Sequence, residues 1–418
     1  MGEVVRRVGL SLGADICWPI CYQEIIKTLD LAIPYRGDTV RFEVERMTIE
    51  PFDLRQPAGY DVVIDRLTHW YRTRREWIKK AVLLDDVYVF NNPWTVQSME
   101  KLTTYCAMIR LGFPIPRTWL VPPKSYDHAD DLQVTLERYA RYFDLGSIGR
   151  ELGYPLFMKP YDGGAWRGVS KIDDEQALRA AYEESGTLVM NLQEAVEPFD
   201  RFVRCVGLGP QSRLILYDPT APLHDRYTSR KEFATDEEGA LIRDMTLVIN
   251  AFFGWDFNSC EVLRKDGNWS PIDFANPCPD SQVTSLHYHF PWLIAANIRW
   301  SLFAAATRRR MKPLTWEKFS AVMDPDATFR ENLDRYVALA HQRFDTDRFE
   351  EFCARHLPHL DEVTHTFFGT EVARGAVRAK VAALFPEHEV DSFTELFWSR
   401  IQQWRQDQAE APDSGARA

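Results

Sequence analysis

A lysine followed closely by glycines is the first feature of this sequence that could bind an anion. In the stretch PLFMKPYDGGAWRGVS, an apolar strand is predicted to end at Lys159, and Gly163 and Gly164 follow shortly after it. Glycines let the main chain approach a ligand closely, and exposed N–H groups beside an ammonium group bind phosphate oxygens well. The same Asp-Gly-Gly sequence is common in ordinary turns, so a plain surface turn is the alternative interpretation. The stretch matches neither the Walker pattern nor the dinucleotide GxGxxG, and a phosphate site here would be of another design.

Two carboxylates and an amide surround a predicted hairpin further along the chain. Asp266 and Gly267 predict its turn, with Glu261 six residues before Gly267 and Asp273 six residues after it. An odd-length loop places both carboxylates on one face, with Cβ atoms about 5 Å apart if they pair directly. A two-residue turn instead shifts the register and sends them to opposite faces. With the oxygen of Asn276, the set favours Mg²⁺, with Mn²⁺ as the alternative ion, while a solvated hairpin with scattered acids is the competing interpretation.

Strands that alternate with helices are predicted to position these groups. A helix from about Thr95 to Leu111 precedes a proline-rich boundary, and a second α/β region extends to about residue 300. Beyond Pro313 the apolar residues recur at intervals of three and four, which predicts helices. The predicted fold class from this pattern is therefore α/β with a helical C-terminal segment. In the first hundred residues the predicted strands are VGLSLG, VRFEVERMTIE, YDVVIDRL and VYVFNNP, and the predicted helices are PICYQEIIKTLD and THWYRTRREWIKKAVL.

The composition limits the classes of function. The 418 residues are 45% hydrophobic, which is enough for two or three subdomains with their own cores. Asp and Glu outnumber Lys and Arg by 61 to 50, and this net negative charge disfavours non-specific binding to nucleic acid or to an anionic membrane. The most apolar run, from Trp292 to Ala306, is shorter than a membrane-spanning helix. Seven cysteines in so long a chain suit a reducing compartment, so we expect a cytoplasmic protein.

Taken together, these motifs resemble the ATP-grasp superfamily, on the side of the glutathione synthetase-like and ribosomal-protein glutamate ligase-like enzymes. The resemblance covers roughly residues 90–280. It rests on the order of Lys101 in a helix, a PIP turn, Lys159 at a strand end, a glycine loop, the segment LQEAVEPFDRFVR and the acids of the hairpin. It implies ATP held between two α+β subdomains, a carboxylate activated as an acyl phosphate, and Lys101 and Lys159 as phosphate-binding lysines. Each lysine also fits an ordinary solvated or strand-end charge.

The resemblance also implies which residues contact the nucleoside. Main-chain groups around Glu194 and Val196, in LVMNLQEAV, would contact the adenine edge. The side chain of Gln193 or Glu194 would lie nearby. Asp200 and Glu197 remain alternative partners for the ribose hydroxyls.

Two arginines are candidates for stabilising the reacting carboxylate. Arg204 matches the arginine that commonly follows the hinge segment LVMNLQEAV in the family, and it could touch phosphate or the activated carboxylate. Arg230, in RYTSRKEF, is the first choice for stabilising the tetrahedral oxyanion, ahead of Arg226 and Lys231. Each of these cations also fits an ordinary strand or surface position.

The metal motif departs from the family pattern. The family places the second acid and the asparagine two residues apart, whereas Asp273 and Asn276 are three apart and Phe274 occupies the expected acidic position. This implies either a β-bulge that realigns Asp273 or an impaired metal site. Three functions therefore stay open: a carboxylate–amine ligase, an ATP-grasp kinase that phosphorylates a hydroxyl acceptor, and a non-catalytic ATP-binding module.

The predicted organisation follows from the resemblance. We predict a pre-ATP-grasp α/β domain at residues 1–94, an ATP-grasp domain at 95–300, a helical segment at 301–406 and a disordered tail at 407–418. The expected partners are small-molecule or peptide substrates that supply the carboxylate and the amine, with no nucleic acid and no membrane. The helical segment has three interpretations, as a lid, as a dimer interface or as a docking surface for a peptide, so a homo-oligomer stays open.

Overall fold

The computed structural model describes residues 2–68, 70–96, 100–162 and 167–410, and the chain separates into two compact units. Unit 1 comprises Met1–Ser98, Val203–Cys260 and Pro277–Ala418. Unit 2 comprises Met99–Phe202 and Glu261–Asn276. Sheets combine with helices, and a long helical segment closes the chain, which confirms the fold class predicted from the sequence.

Unit 1 begins with a five-stranded sheet in the order β2-β3-β1-β4-β5. Strand β1 is parallel to β3 and β4, β4 is parallel to β5, and only the short β2 runs antiparallel to its neighbour. Every residue of β4 and β5 is buried, as expected for parallel strands covered on both faces. The elements are β1 (Glu3–Ser11), α1 (Cys17–Leu29), β2 (Ile33–Tyr35), β3 (Asp38–Arg46), β4 (Val62–Asp65), α2 (Arg72–Asp85), β5 (Tyr88–Phe90) and α3 (Pro93–Val96).

Unit 2 contains a four-stranded antiparallel sheet in the order β6-β9-β7-β8. Apolar side chains of α6 and α7 pack on it and form one core with β7 and β9. The elements are α4 (Lys101–Arg110), β6 (Thr118–Val121), α5 (Leu132–Tyr139), α6 (Leu145–Leu152), β7 (Leu156–Pro160), β8 (Ser170–Ile172), α7 (Glu175–Glu184) and β9 (Met190–Glu194).

The predicted helix from about Thr95 to Leu111 is wrong in being continuous, because Thr95 and Val96 belong to α3 and α4 is a separate helix. Glu100 is extended, with φ −75° and ψ 112°, and α4 begins at Lys101. The N–H group of Lys101 donates to the carbonyl oxygen of Tyr161 at 2.9 Å, whereas a helix continuing through this point would direct it to a preceding turn. A tertiary hydrogen bond thus sets where α4 begins. Residues 97–99 lie outside the described residues.

The rest of the chain supplies two hairpins and a helical C-terminal segment. The boundaries between the units after Phe202 and Cys260 fall inside strands β10 and β12. In unit 1, β10 pairs with β11 in antiparallel fashion, and α8 begins with a capping box of Thr235 and Glu238. The elements are β10 (Arg201–Leu208), β11 (Gln211–Leu216), α8 (Asp236–Phe253), β12 (Phe257–Lys265), β13 (Asn268–Asp273), α9 (Val283–Leu286), α10 (Phe290–Thr307), α11 (Trp316–Ala321), α12 (Phe329–Phe344), α13 (Thr346–His356), α14 (Leu360–Phe367), α15 (Glu371–Ala382) and α16 (Val390–Glu410).

Helices α10 and α16 lie near the two ends of this helical segment. Helix α10, which contains the apolar run from Trp292 to Ala306, is buried along almost its whole length. Helix α16 extends to Glu410 and so includes the first residues of the stretch predicted as a tail. In the described ranges, no helix is both long enough and apolar enough to span a membrane.

Candidate active site

The hairpin of β12 and β13, in unit 2, begins from a two-residue turn. Lys265 pairs with Asn268, so Asp266 and Gly267 alone form the turn, with φ of 50° and 78°. Positive φ at both positions is the type I′ geometry that Asp-Gly favours. The odd-length loop that we expected is therefore wrong, because Asp-Gly favours a two-residue turn of type I′. A two-residue turn by itself would leave Glu261 and Asp273 out of register.

A β-bulge restores the register near the end of the hairpin. Val262 pairs with Pro271, whereas Glu261 pairs with Asp273, so Ile272 is the extra residue of β13. The two carboxylates consequently lie opposite each other on neighbouring strands. This is the realignment that the spacing of Asp273 and Asn276 left open as one alternative.

Helix α4 holds the bulge in place. The hydroxyl group of Tyr105 donates to the carbonyl oxygen of Ile272 at 2.8 Å. Phe274 is 0% exposed and packs edge to face on Tyr105, with ring centroids 5.4 Å apart. Phe274 therefore belongs to the apolar core, which explains why no acid stands there. Tyr105 was not singled out from the sequence, although its position one helical turn after Lys101 places both on one face of α4.

Lys101 and Asp273 form a close ion pair. Lys101 is only 4% exposed, and its Nζ lies 2.5 Å from Oδ2 of Asp273, whose side chain is 22% exposed. Asn276 donates from Nδ2 to Oδ1 of the same carboxylate at 3.3 Å. A lysine in the first turn of a helix faces the unfavourable end of the helix dipole, so its burial depends on this carboxylate. The structure thus brings Lys101, Asp273 and Asn276 together, with Glu261 opposite Asp273.

Lys159 is fixed by a second chain of hydrogen bonds. It lies near the end of β7, is 7% exposed, and donates from Nζ to Oε1 of Gln193 at 2.8 Å. Gln193 in turn donates from Nε2 to the hydroxyl oxygen of Thr118 at 2.9 Å. Gln193, which the resemblance placed near adenine, therefore orients Lys159. The alternation of side chains along β7 and β9 could have indicated this contact from the sequence. Lys159 and Gln193 lie diagonally from each other on the same face of these paired strands.

The electrostatic surroundings of Lys159 connect it with the hairpin. Burial lowers the pKa of Lys159 from its ordinary value of 10.5 to about 8. The carboxylates of Asp273 and Glu261 oppose this shift and favour the ammonium form, whereas the charge of Lys101 reinforces it. Two lysines and two carboxylates therefore interact electrostatically within unit 2.

The segment predicted to contact adenine is partly engaged by the main chain. Glu194 ends β9, and its N–H group donates to the carbonyl oxygen of Arg117 at 3.0 Å. Val196 is half-buried in the loop that follows β9. The N–H group of Glu194 is thus already engaged by another main-chain group of the protein.

Both candidates for the ribose hydroxyls form ion pairs. Asp200 accepts two hydrogen bonds from Arg264, at 3.0 Å from Nε and 2.6 Å from Nη2, and these lower the pKa of Asp200. Glu197 pairs with Lys171, with 2.7 Å between Oε2 and Nζ. The choice between the two acids stays a prediction. Arg264, on β12, is a residue that the sequence did not single out.

The two predicted arginines lie in unit 1. Arg204, on β10, donates from Nε to the hydroxyl oxygen of Ser259 at 3.1 Å and from Nη1 to that of Tyr227. Arg230 is exposed in the segment between β11 and α8. These residues belong to a different unit from the lysines and carboxylates, so unit 2 by itself does not bring them to that cluster. Gly163 and Gly164 lie outside the described residues.

Parts of this chain are similar in sequence to known ligases. No family model matches the chain. The D-alanine–D-alanine ligase of Streptomyces griseus is 27% identical over 173 residues, which are 37% of this chain and 40% of that protein. The corresponding ligase of Synechococcus sp. strain CC9605 is 37% identical over 82 residues, 20% of this chain and 23% of that protein. The chain resembles the ATP-grasp ligases. These similarities confirm the resemblance that the motifs indicated.

The matched segments span less than half the length of these D-alanine–D-alanine ligases. Among solved structures, the D-alanine–D-alanine ligase of Bacillus anthracis complexed with ATP aligns with 82% of this chain and 99% of its own. Its sequence identity is 13% and its TM-score is 0.46.

The oxygen donors of the hairpin formed by β12 and β13 fit a divalent cation only in part. Glu261 and Asp273 offer opposed carboxylates, and Asn276 offers an amide oxygen, which are the ligand types that Mg²⁺ prefers. Within the part of the chain that the structure describes, no three His, Cys, Asp or Glu side chains are grouped so as to hold a metal ion. A cation at this hairpin would therefore need oxygen ligands from phosphate or water as well.

Proposed function

We propose that this protein is an ATP-dependent carboxylate–amine ligase. It would activate a carboxylate by phosphoryl transfer from ATP and join it to an amine, with release of ADP and phosphate. The observation that carries the proposal is the cluster of Lys101, Lys159, Glu261 and Asp273 in one compact unit. The partial sequence similarity to D-alanine–D-alanine ligases supports the same class of reaction and favours amino acids or short peptides as substrates.

The two lysines would bind and orient the phosphates of ATP. Both side chains are buried, so their hydrogen bonds to an anion would act in a medium of low dielectric constant and be stronger than in water. The hydrogen bond from Lys159 to Gln193 fixes the direction of this ammonium group before the nucleotide binds. Such preorganisation reduces the cost of ordering the side chain during the reaction.

The hairpin would hold the divalent cation through Glu261, Asp273 and Asn276. Bound there, Mg²⁺ or Mn²⁺ would supply positive charge to the transferring phosphoryl group. The bulge at Ile272 contributes by keeping the two carboxylates opposite each other, and Tyr105 maintains the bulge.

The remaining predicted contacts complete the proposal. Main-chain groups near Glu194 and Val196 would bind adenine, and Asp200 or Glu197 the ribose. Gly163 and Gly164 would cover the phosphates. Arg204 or Arg230 would stabilise the oxyanion formed when the amine attacks, since a fixed cation offsets charge that develops there. We also propose the limits 1–94, 95–300 and 301–406 for the N-terminal, nucleotide-binding and C-terminal parts.

The first test is binding of a non-hydrolysable ATP analogue, measured by isothermal titration with and without Mg²⁺. We expect Mg²⁺-dependent binding that weakens at least about tenfold in Glu261→Ala, because a charge-assisted contact contributes about 1.5–3 kcal/mol. Glu183→Ala is the matched control, since Glu183 is an exposed acid of the same unit that pairs with Lys124. No binding to the wild type at millimolar analogue would contradict the proposal.

Turnover then separates the ligase from its two alternatives. A ligase releases ADP only when both a carboxylate and an amine are present. A kinase yields a phosphorylated product without any amine, and a binding module shows no turnover with any substrate pair.

A further inference from the structure

Lys101 and Asn276 both direct donor groups at the carboxylate of Asp273. The Lys101 ammonium lies 2.5 Å from Oδ2, and the Asn276 amide group donates to Oδ1 at 3.3 Å. The carboxylate that would bind a cation is therefore already neutralised by a cation of the protein. Because Lys101 is buried at the start of α4, it cannot leave Asp273 for bulk water without moving its side chain out of the core.

A divalent cation at Asp273 would meet this ammonium at close range. Two positive charges competing for one partly buried carboxylate repel each other, and the local dielectric is too low to screen them as water does. Asn276 reinforces the effect, because it directs its NH₂ group rather than its oxygen toward Asp273. A free metal ion would thus have to displace both the Lys101 ammonium and the Asn276 amide group from this carboxylate.

We propose that the Lys101 ammonium and a divalent cation are alternative partners of Asp273, so that the site accepts the cation only together with a polyphosphate that takes over Lys101. The inference rests on the proposed function, because ATP is the source of that polyphosphate. It deepens the function by giving Lys101 a second role, which is to exclude free metal from the site.

Two consequences follow for binding. Metal and polyphosphate bind with positive coupling. Polyphosphate binds Lys101 in place of Asp273 and so lowers the free-energy cost of binding the metal at Asp273, and thermodynamic linkage makes the coupling the same in either order of binding. Replacing Lys101 by methionine keeps the length of the side chain without its charge, so the variant gains affinity for free metal while it loses affinity for phosphate.

The test measures binding of free Mn²⁺ in the absence of nucleotide, by the loss of the paramagnetic resonance signal of the free ion. The proteins compared are the wild type, Lys101→Met, Asp273→Asn and the double variant. We expect Lys101→Met to bind Mn²⁺ at least about tenfold more tightly than the wild type, within the 5- to 150-fold range typical of coupling between sites. The gain should disappear in the double variant, and Asp273→Asn gives the background from other acidic sites.

Two controls make the result independent of how well one variant folds. Lys124→Met removes an exposed lysine that pairs with Glu183 in the same unit, and it should bind Mn²⁺ as the wild type does. In the wild type itself, Mn²⁺ should raise the affinity for inorganic tripolyphosphate at least tenfold. Independent binding of the two would overturn the inference without the use of any variant.

The inference and the proposed function fail in different ways. If the wild type and Lys101→Met bind free Mn²⁺ equally while the wild type still binds the ATP analogue, the inference is wrong and the ligase proposal stands. If the wild type does not bind the analogue with or without Mg²⁺, the proposed function is wrong and the inference falls with it.

Discussion

Replacing Lys159 by methionine should stabilise the protein while it weakens nucleotide binding. Burial lowers the pKa of Lys159 from 10.5 to about 8, which corresponds to a cost of about 3 kcal/mol for keeping the ammonium group charged at pH 7. Methionine removes that cost but leaves Oε1 of Gln193 without its donor, a loss of about 1–3 kcal/mol. The expected net gain in the free energy of unfolding at pH 7 is therefore up to about 2 kcal/mol.

The sign of the pH dependence provides the sharper measurement. Between pH 8 and 10.5 the lysine keeps its proton in the unfolded chain and loses it in the folded protein, so the stability contributed at this position rises with pH. Lys159→Met lacks this rise. The stability of the wild type relative to Lys159→Met should consequently increase by about 2 kcal/mol between pH 7 and 9.5.

Urea denaturation of both proteins across this pH range measures the difference directly. Other tyrosines and lysines titrate in both proteins and cancel in the comparison. Lys124→Met, which removes an exposed lysine, should show no such trend relative to the wild type. Affinity for the ATP analogue should fall about 10- to 100-fold in Lys159→Met, as expected for loss of a charged hydrogen bond. A stability difference that does not change with pH would refute the reasoning, as would unchanged nucleotide affinity.

Four further outcomes are expected. Phe274→Ala should cost about 3–5 kcal/mol in urea denaturation, because the ring is fully buried against Tyr105, and a loss below about 1 kcal/mol would show that the bulge does not depend on it. Gly267→Ala should cost about 1 kcal/mol, since φ at this turn is 78°, and equal stability would contradict the type I′ turn. Burial lowers the pKa of His289 to about 3. Acidification from pH 7 to 5 should therefore lower the free energy of unfolding by about 2 kcal/mol, because the unfolded chain takes up a proton at this histidine and the folded protein does not. Denaturation curves of His289→Gln should lack that share of the acid sensitivity. Asp200→Ala should cost less than about 1 kcal/mol, because its pair with Arg264 is 55% exposed at Asp200, while a large loss of nucleotide affinity would select Asp200 over Glu197 as the ribose partner.

Local patterns in the sequence predict much of the architecture. Rules that act over a few residues predict the alternation of strands and helices. They also predict the Asp266–Gly267 turn and the strand that ends near Lys159. The order of Lys101, Lys159 and the hairpin acids was enough to indicate a resemblance to the ATP-grasp ligases, which the similarity to D-alanine–D-alanine ligases confirms.

The tertiary structure decided how these residues meet. The bulge at Ile272 depends on Tyr105, which lies 167 positions earlier in the chain, and the partner of Asp273 is Lys101, 172 positions away. Likewise, the start of α4 depends on a hydrogen bond to Tyr161, and the role of Gln193 depends on the register of β7 and β9. Propensities and turn types describe only neighbours in sequence, so they determine which elements form. Register and ion pairing come from contacts between distant segments, and they determine which charges share a site.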